Sequence, residues 1–353
     1  MKLIRILLLL TVISLETEAQ NILTVQLNAI RDNDVINRQE VDCVEPGLDG
    51  QDLVWDFSKV NVLQKKCAIE YYSDSNAVIL GIDGQSIQKF KLSNDSLFVV
   101  GYEDPLNIIT YHRPMTAMAF PMVFGSKTSE AFYEGRGLYC NRNAIETVGT
   151  VNIEADASGM IILSDKDTLK NVLRIHTLRT SSIGVEKDNL IRDTTQRHME
   201  IVDTYQWYAR GYRYPVFETK TISTYHNTNH VSSSKKAYRY MPDEQLLLND
   251  SLNREIAHND SVINMEGDRS IIDFHVDTHG KVVVMTYTLT KSASVMTMVT
   301  NIMGMVLRRE KQTSPAGEVC TMELDCNSLR KGEYIFYINV NGQTCSQKIY
   351  LTD

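Results

Sequence analysis

The side chains best suited to chemistry are few and dispersed. His275-Val276-Asp277-Thr278-His279 alternates two imidazoles with a carboxylate, which puts His275, Asp277 and His279 on one face of a strand. Such groups suit zinc or a similar divalent ion. At about 3.3 Å per residue, though, His275 and His279 stand about 13 Å apart, too far to share an ion unless Gly280 turns the chain back. His226 and His230 have helical spacing, but their Thr/Asn/Ser-rich surroundings offer no helix, and the glutamate of H-E-x-x-H is missing. No metal is expected. The chain has no G-x-S-x-G elbow, P-loop or dinucleotide glycine pattern, so no catalytic residue is assigned and no cofactor is expected. Asp32, Asp34, Glu134 and Asp156 are nominal carboxylates for a dispersed hydrolase site, but turn or surface duty accounts for them more simply.

Aromatic residues give a second candidate. Tyr205 and Trp207 share one face of a strand and Tyr208 takes the other, with Tyr212 and Tyr214 beyond Gly211. These rings have two readings: an exposed platform that stacks on surface glycans, or rings that close a core. Large aromatics are usually buried, which favours the core. Six cysteines are present. Cys43 and Cys67 form the candidate disulfide of the N-terminal region, Cys320, Cys326 and Cys345 lie near the C-terminus, and Cys140 is left over. No C-x-x-C pair suggests zinc.

The elements that must position these groups read as strands. Asn76 to Ile82, Leu97 to Val100, Thr150 to Ile153, Val172 to His176, Val282 to Leu289 and Tyr334 to Val340 are short β-branched or alternating runs. Turn clusters such as Ser93-Asn94-Asp95-Ser96 and Ile82-Asp83-Gly84-Gln85 bound them. The fold class is therefore all-β: a large N-terminal β-sandwich-like block (residues 20–240) and a smaller C-terminal sandwich (271–353). Between them, residues 241–270 are polar and acidic and read as a linker. Pro242 to Glu255 is the best helical candidate there, with Asp250 and Asn253 breaking its apolar stripe.

Length and composition bound the class. The chain has 353 residues, 43% hydrophobic and 23% charged, which suits two or three ordinary globular domains at about 150 residues each. The formal net charge is −8, which leaves no basic excess for nucleic acid. Residues 1–19 carry Lys2 and Arg5, an apolar run and Thr17-Glu18-Ala19, the pattern of a cleaved secretory signal peptide. The remaining chain has no apolar stretch of transmembrane length.

The C-terminal unit holds about seven short strands and reads as an Ig-like sandwich. Its order of Asn301, Gly304 and Val306, then Leu329, Gly332 and Tyr334, then Asn341, Gly342, Lys348 and Ile349, resembles the C-terminal sorting domain of the Bacteroidetes type IX secretion system. That resemblance covers about residues 271–353. It implies recognition by the outer-membrane secretion translocon, with release or surface attachment of the cargo. The chain departs from the pattern at its end, Tyr350-Leu351-Thr352-Asp353, and in its three cysteines.

The N-terminal block resembles the cargo part of uncharacterised secreted Bacteroidetes proteins. Three landmarks carry the likeness: Pro46-Gly47-Leu48-Asp49-Gly50 with Trp55-Asp56-Phe57-Ser58, then Asp156-Ala157-Ser158-Gly159-Met160 with Leu173-Arg174-Ile175, then Tyr205-Gln206-Trp207-Tyr208 with Gly211 to Val216. No activity comes with it. Ser96, Thr168, Thr194, Ser251 and Ser261 each follow an Asp in a pattern that resembles the O-glycosylation sequon of Bacteroidetes exported proteins, although Asp-Ser and Asp-Thr are also good turn formers. The expectation is an exported, non-enzymatic protein, secreted or held at the outer-membrane surface, whose C-terminal domain directs type IX-like secretion. A glycan-binding or adhesive module and an extracellular hydrolase are the alternatives.

Overall fold

Tight hairpins set the register of the N-terminal half. Ser93 pairs with Ser96 across Asn94 and Asp95, both at positive φ (49° and 55°), as a type I′ connection requires. Asp83 pairs with Ser86 across Gly84 and Gln85, with Gly84 at φ 62°. The computed structural model describes residues 21–352 except 75–76, 164–167, 186–197, 227–228, 267–270, 303–304 and 341–342. The signal-peptide reading of residues 1–19 falls outside these.

The block expected to be sandwich-like is a closed barrel, and the all-β class holds. After helix α1 (Val25–Asn28) come β1 (Val35–Val41), β2 (Gly50–Asp56), β3 (Val62–Ser73), β4 (Ile79–Asp83), β5 (Ser86–Ser93), β6 (Ser96–Glu103) and β7 (Asn107–Ala119). They are followed by β8 (Ala131–Tyr139), β9 (Asn143–Ile162), β10 (Thr168–Val185), β11 (His198–Ala209), β12 (Phe217–His226) and β13 (Asn229–Tyr240). Apart from β2, these strands form an antiparallel meander, which closes where β13 pairs with β1, Arg38 opposite Tyr240. Twelve strands enclose more interior than a small barrel, so side chains alone need not fill it.

Along β9, Ile145, Val151, Ile153 and Ala155 point inward and are buried, while Glu146, Asn152 and Glu154 point outward. That is the reverse of a lipid-facing barrel wall, whose outer row is apolar. No helix is long and apolar enough to cross a membrane among the described residues.

Strand β2 leaves the meander and pairs in parallel with the second half of β9, Leu53 opposite Gly159. A Cβ at Gly159 would sit 1.9 Å from the Leu53 carbonyl oxygen, so this approach demands glycine.

The segment read as a linker forms α2 (Pro242–Gln245) and α3 (Ser251–Glu266) and packs on the barrel. Asp250 and Asn253, which break the apolar stripe, are buried because they bond to the barrel end described below.

The C-terminal unit is a two-layer sandwich. One sheet holds β14 (Ile271–His279), β15 (Val282–Leu289) and β18 (Val319–Asp325). The other runs β17-β16-β19-β20, from β16 (Ala293–Thr300), β17 (Val306–Ser314), β19 (Gly332–Val340) and β20 (Gln343–Leu351). Val283, Met285, Leu289, Val295, Phe336 and Ile338 fill the space between the sheets. The sandwich docks on β2: Met296, Met298, Val306 and Tyr337 pack against Val54 and Met160, and the Tyr337 hydroxyl donates to Asp56.

Candidate functional site

Placed in the structure, the five aromatics proposed as a glycan platform fall on both sides of the barrel wall. Trp207 is wholly buried on the outer side, edge-on to Trp55, Phe57 and Phe217. Tyr205 is half-buried beside it and stacks on His176, ring centroids 4.2 Å apart. Tyr208 points inward, and Tyr214 stacks on Tyr71 inside the barrel and donates to Asp34 (2.8 Å). Tyr212 packs half-buried against the Trp207 cluster. Core packing, not an exposed platform, is the role of Trp207.

The three landmarks converge on one contact. Arg174, 1% exposed, holds Asp156 with paired bonds of 2.8 and 2.9 Å, donates to the Pro46 carbonyl, and lies over the rings of Trp55, Tyr205 and Trp207. Segments far apart in sequence thus form a clasp that pins β2 and its flanks to the barrel.

The other candidates are separated. His275 bonds Asp277 at 3.2 Å on an exposed strand face, and among the described residues no group of three His, Cys, Asp or Glu is placed to hold a metal. His230 bonds Ser233 in the β12–β13 hairpin. Asp32, Asp34, Glu134 and Asp156 serve Ser73, Arg31, His112 and Arg174 respectively. Cys43 and Cys67 are free thiols, which corrects the expected disulfide. Cys43 is exposed beyond β1, whereas Cys67 packs inside the barrel beside Ile36 and Tyr71, so the wall separates them.

Of the sorting-type positions, Ile349 is buried in the sandwich, Lys348 pairs with Glu333 (2.8 Å), Tyr334 donates to the Arg330 carbonyl (2.7 Å) and Gly332 opens β19 at φ 152°. Gly304, Asn341, Gly342 and Thr194 lie outside the described residues. Thr168 and Ser251 are exposed and Ser96 is half-buried. Ser261 lies within α3.

The feature that sequence reading missed is the barrel lumen. Its β6–β10 side is an apolar cluster including Val99, Ile109, Met115, Tyr133, Val151 and Ile175. Facing it across a cavity of about 530 Å³, the other side carries Arg38, Asp83, Gln206, Glu218, Lys220 and Tyr240, with Arg179 and Glu200 nearby. A volume of this order is that of a small-molecule pocket.

Most of these charges are paired. Arg38 binds Asp83 (2.5 Å) and lies 3.9 Å from Glu218, and Arg179 binds Glu200 (2.5 Å). Glu218 also accepts from Gln206 (2.7 Å) and Tyr240 (3.3 Å). Burial pushes the hydroxyls of Tyr71, Tyr208, Tyr214 and Tyr240 well above the usual phenol range, so all four remain neutral and able to donate.

One end of the lumen is plugged by residues 21–34. Arg213, 5% exposed, donates to the Ala29 carbonyl (2.8 Å), the Gln26 carbonyl (2.7 Å) and Asp250 (2.7 Å). Asn253 donates to the Leu27 carbonyl (2.8 Å). Burial works to raise the Asp250 carboxyl, but hydrogen bonds from Arg213 and Asn253 outweigh it and hold the group below the ordinary carboxylate range.

No protein-family model matches the chain, and no curated protein matches it. A functional reading therefore rests on this lumen and on the sandwich.

Proposed function

We propose that this chain is an exported binding protein whose twelve-stranded barrel holds a small polar ligand, and whose C-terminal sandwich directs type IX-like secretion or surface attachment. The observation that carries the binding role is the lumen: charged and tyrosine side chains face a cavity where a packed apolar core would stabilise the fold more. Buried ion pairs are often no better than apolar residues of the same size, so a lumen rich in them points to a task beyond folding.

For the sandwich, the order β14-β15-β18 over β17-β16-β19-β20 supports the Ig-like reading. The pairing of β19 with β20 runs from Gly332 opposite Leu351 to Val340 opposite Gln343.

A thermal-shift screen of sugars, nucleosides, amino acids and small carbonyl compounds tests the lumen. A ligand that raises Tm should also compete with chemical labelling of luminal side chains; if no compound in the panel stabilises the protein, the binding role fails. Deleting residues 271–353 should leave the protein in the periplasm, and unchanged surface display would overturn the sorting role.

A further inference from the structure

Among the described charged residues that line the lumen, Lys220 is uncommitted. It sits on β12 two residues beyond Glu218, opposite Thr204 of β11, and it lines the cavity. Among the described residues its Nζ makes no hydrogen bond and no ion pair. Lys220 is half-buried and lines the cavity.

The charged groups that line the cavity with it are Arg38 on β1, Asp83 on β4, Arg179 on β10, Glu200 on β11 and Glu218 on β12. Lys236, directly opposite on β13, shares this face of the wall and is exposed. Desolvation lowers the Lys220 ammonium below the ordinary lysine range; Glu218 and Asp83 oppose this, while Arg179 and Arg38 reinforce it.

Two ligand chemistries could use such an amine, an anion or a carbonyl. An anionic head group would find both guanidiniums already closed by Asp83 and Glu200, and would meet Glu218 and Asp83 beside the amine. A neutral carbonyl meets no such repulsion. An amine desolvated and set near other cations is also how proteins make lysine nucleophilic near neutral pH.

Resting on the lumen-binding reading above, we propose that Lys220 captures an aldehyde- or ketone-bearing ligand in the barrel as an imine. The neutral amine's lone pair attacks the carbonyl carbon to form a C–N bond and a carbinolamine. The carbonyl oxygen then leaves as water with the two amine protons, giving C=N. No electrons are transferred, and no other reactant is needed.

The test uses the full exported chain at near-neutral pH with a limiting amount of benzaldehyde, reduction by cyanoborohydride, and peptide mapping. The expected result is benzyl label concentrated several-fold at Lys220 over every other lysine, and absent from that site in Lys220→Met. Lys220→Gln serves as a second control if the Met variant fails to fold, and the wild-type map decides the question without either. Label spread over surface lysines with Lys220 unmodified overturns the proposal. If luminal ligands still raise Tm in that case, only the imine chemistry falls; if none does, the lumen-binding reading falls with it.

Discussion

The barrel and the sandwich solve the same problem, burying one face of a set of strands, in opposite ways. Between the sandwich's two sheets, Val283, Met285, Val295, Phe336 and Ile338 are fully buried against one another. Inside the barrel, an apolar wall faces charged pairs, tyrosines and an open volume. On the binding reading proposed above, the difference separates a packing module from a unit that has given up packing for a site. It also predicts distinct sensitivities, readable separately because both tryptophans, Trp55 and Trp207, lie in the barrel block and report on it alone.

The largest expected effect is at the plug. Arg213→Ala removes the closest cation of buried Asp250, leaving only the longer contact to Arg31 (3.7 Å), and frees the Ala29 and Gln26 carbonyls, which should cost about 3–5 kcal/mol in denaturant unfolding followed by tryptophan fluorescence. In the sandwich, Phe336→Ala should cost about 3–5 kcal/mol through a cavity. That loss should appear in circular dichroism and leave the tryptophan transition in place. A shift of both transitions by either substitution would show that the two units unfold as one.

At the junction, Tyr337→Phe removes the bond to Asp56 and should cost about 1–3 kcal/mol. It should also bring any separate transitions further apart. Acid acts on the barrel next. Because Asp250 is held below its unfolded value, its contribution is complete above the ordinary carboxylate pKa and is lost as pH falls through the lowered one. The tryptophan-reported midpoint should therefore drop in that window more than the sandwich's, and Asp250→Asn should flatten the slope. His275→Ala should be the mildest, within about 0.5 kcal/mol and with no change in Tm on adding zinc.

Local features were the ones the sequence made legible. Asn94-Asp95 announced a turn because such a backbone needs residues that tolerate positive φ, and the structure makes it a hairpin. Val282 to Leu289 alternates because one face meets a core. Closure of the barrel left no local mark, since it depends on Arg38 meeting Tyr240 some two hundred residues later. The lumen was hidden for a related reason. Glu218-Thr219-Lys220-Thr221 is polar on both faces, and an inward-facing Glu or Lys looks in sequence like one turned to water. Asp250 and Asn253 misled in the same way: they counted as breaks in a stripe, although their value lies in polar partners, Arg213 for Asp250 and the Leu27 carbonyl of the plug for Asn253. Trp207 was legible as core, whereas Tyr208 and Tyr214 turned out to lie on the other side of the wall, lining the lumen.

Strand β2 has a consequence for how this molecule can be divided. One edge of it is fastened to β9 through Gly159, and its surface carries the sandwich through Val54 and Asp56. Residues contributed before residue 60 therefore hold a unit that begins after residue 270. Cutting the chain at the helices removes the covalent link but strips Val54 and Met160 of their cover, so a trimmed barrel acquires an adhesive spot that the intact protein keeps sealed. The seam that matters for inheritance, proteolysis or engineering runs along β2, not through the polar stretch that looks like a hinge.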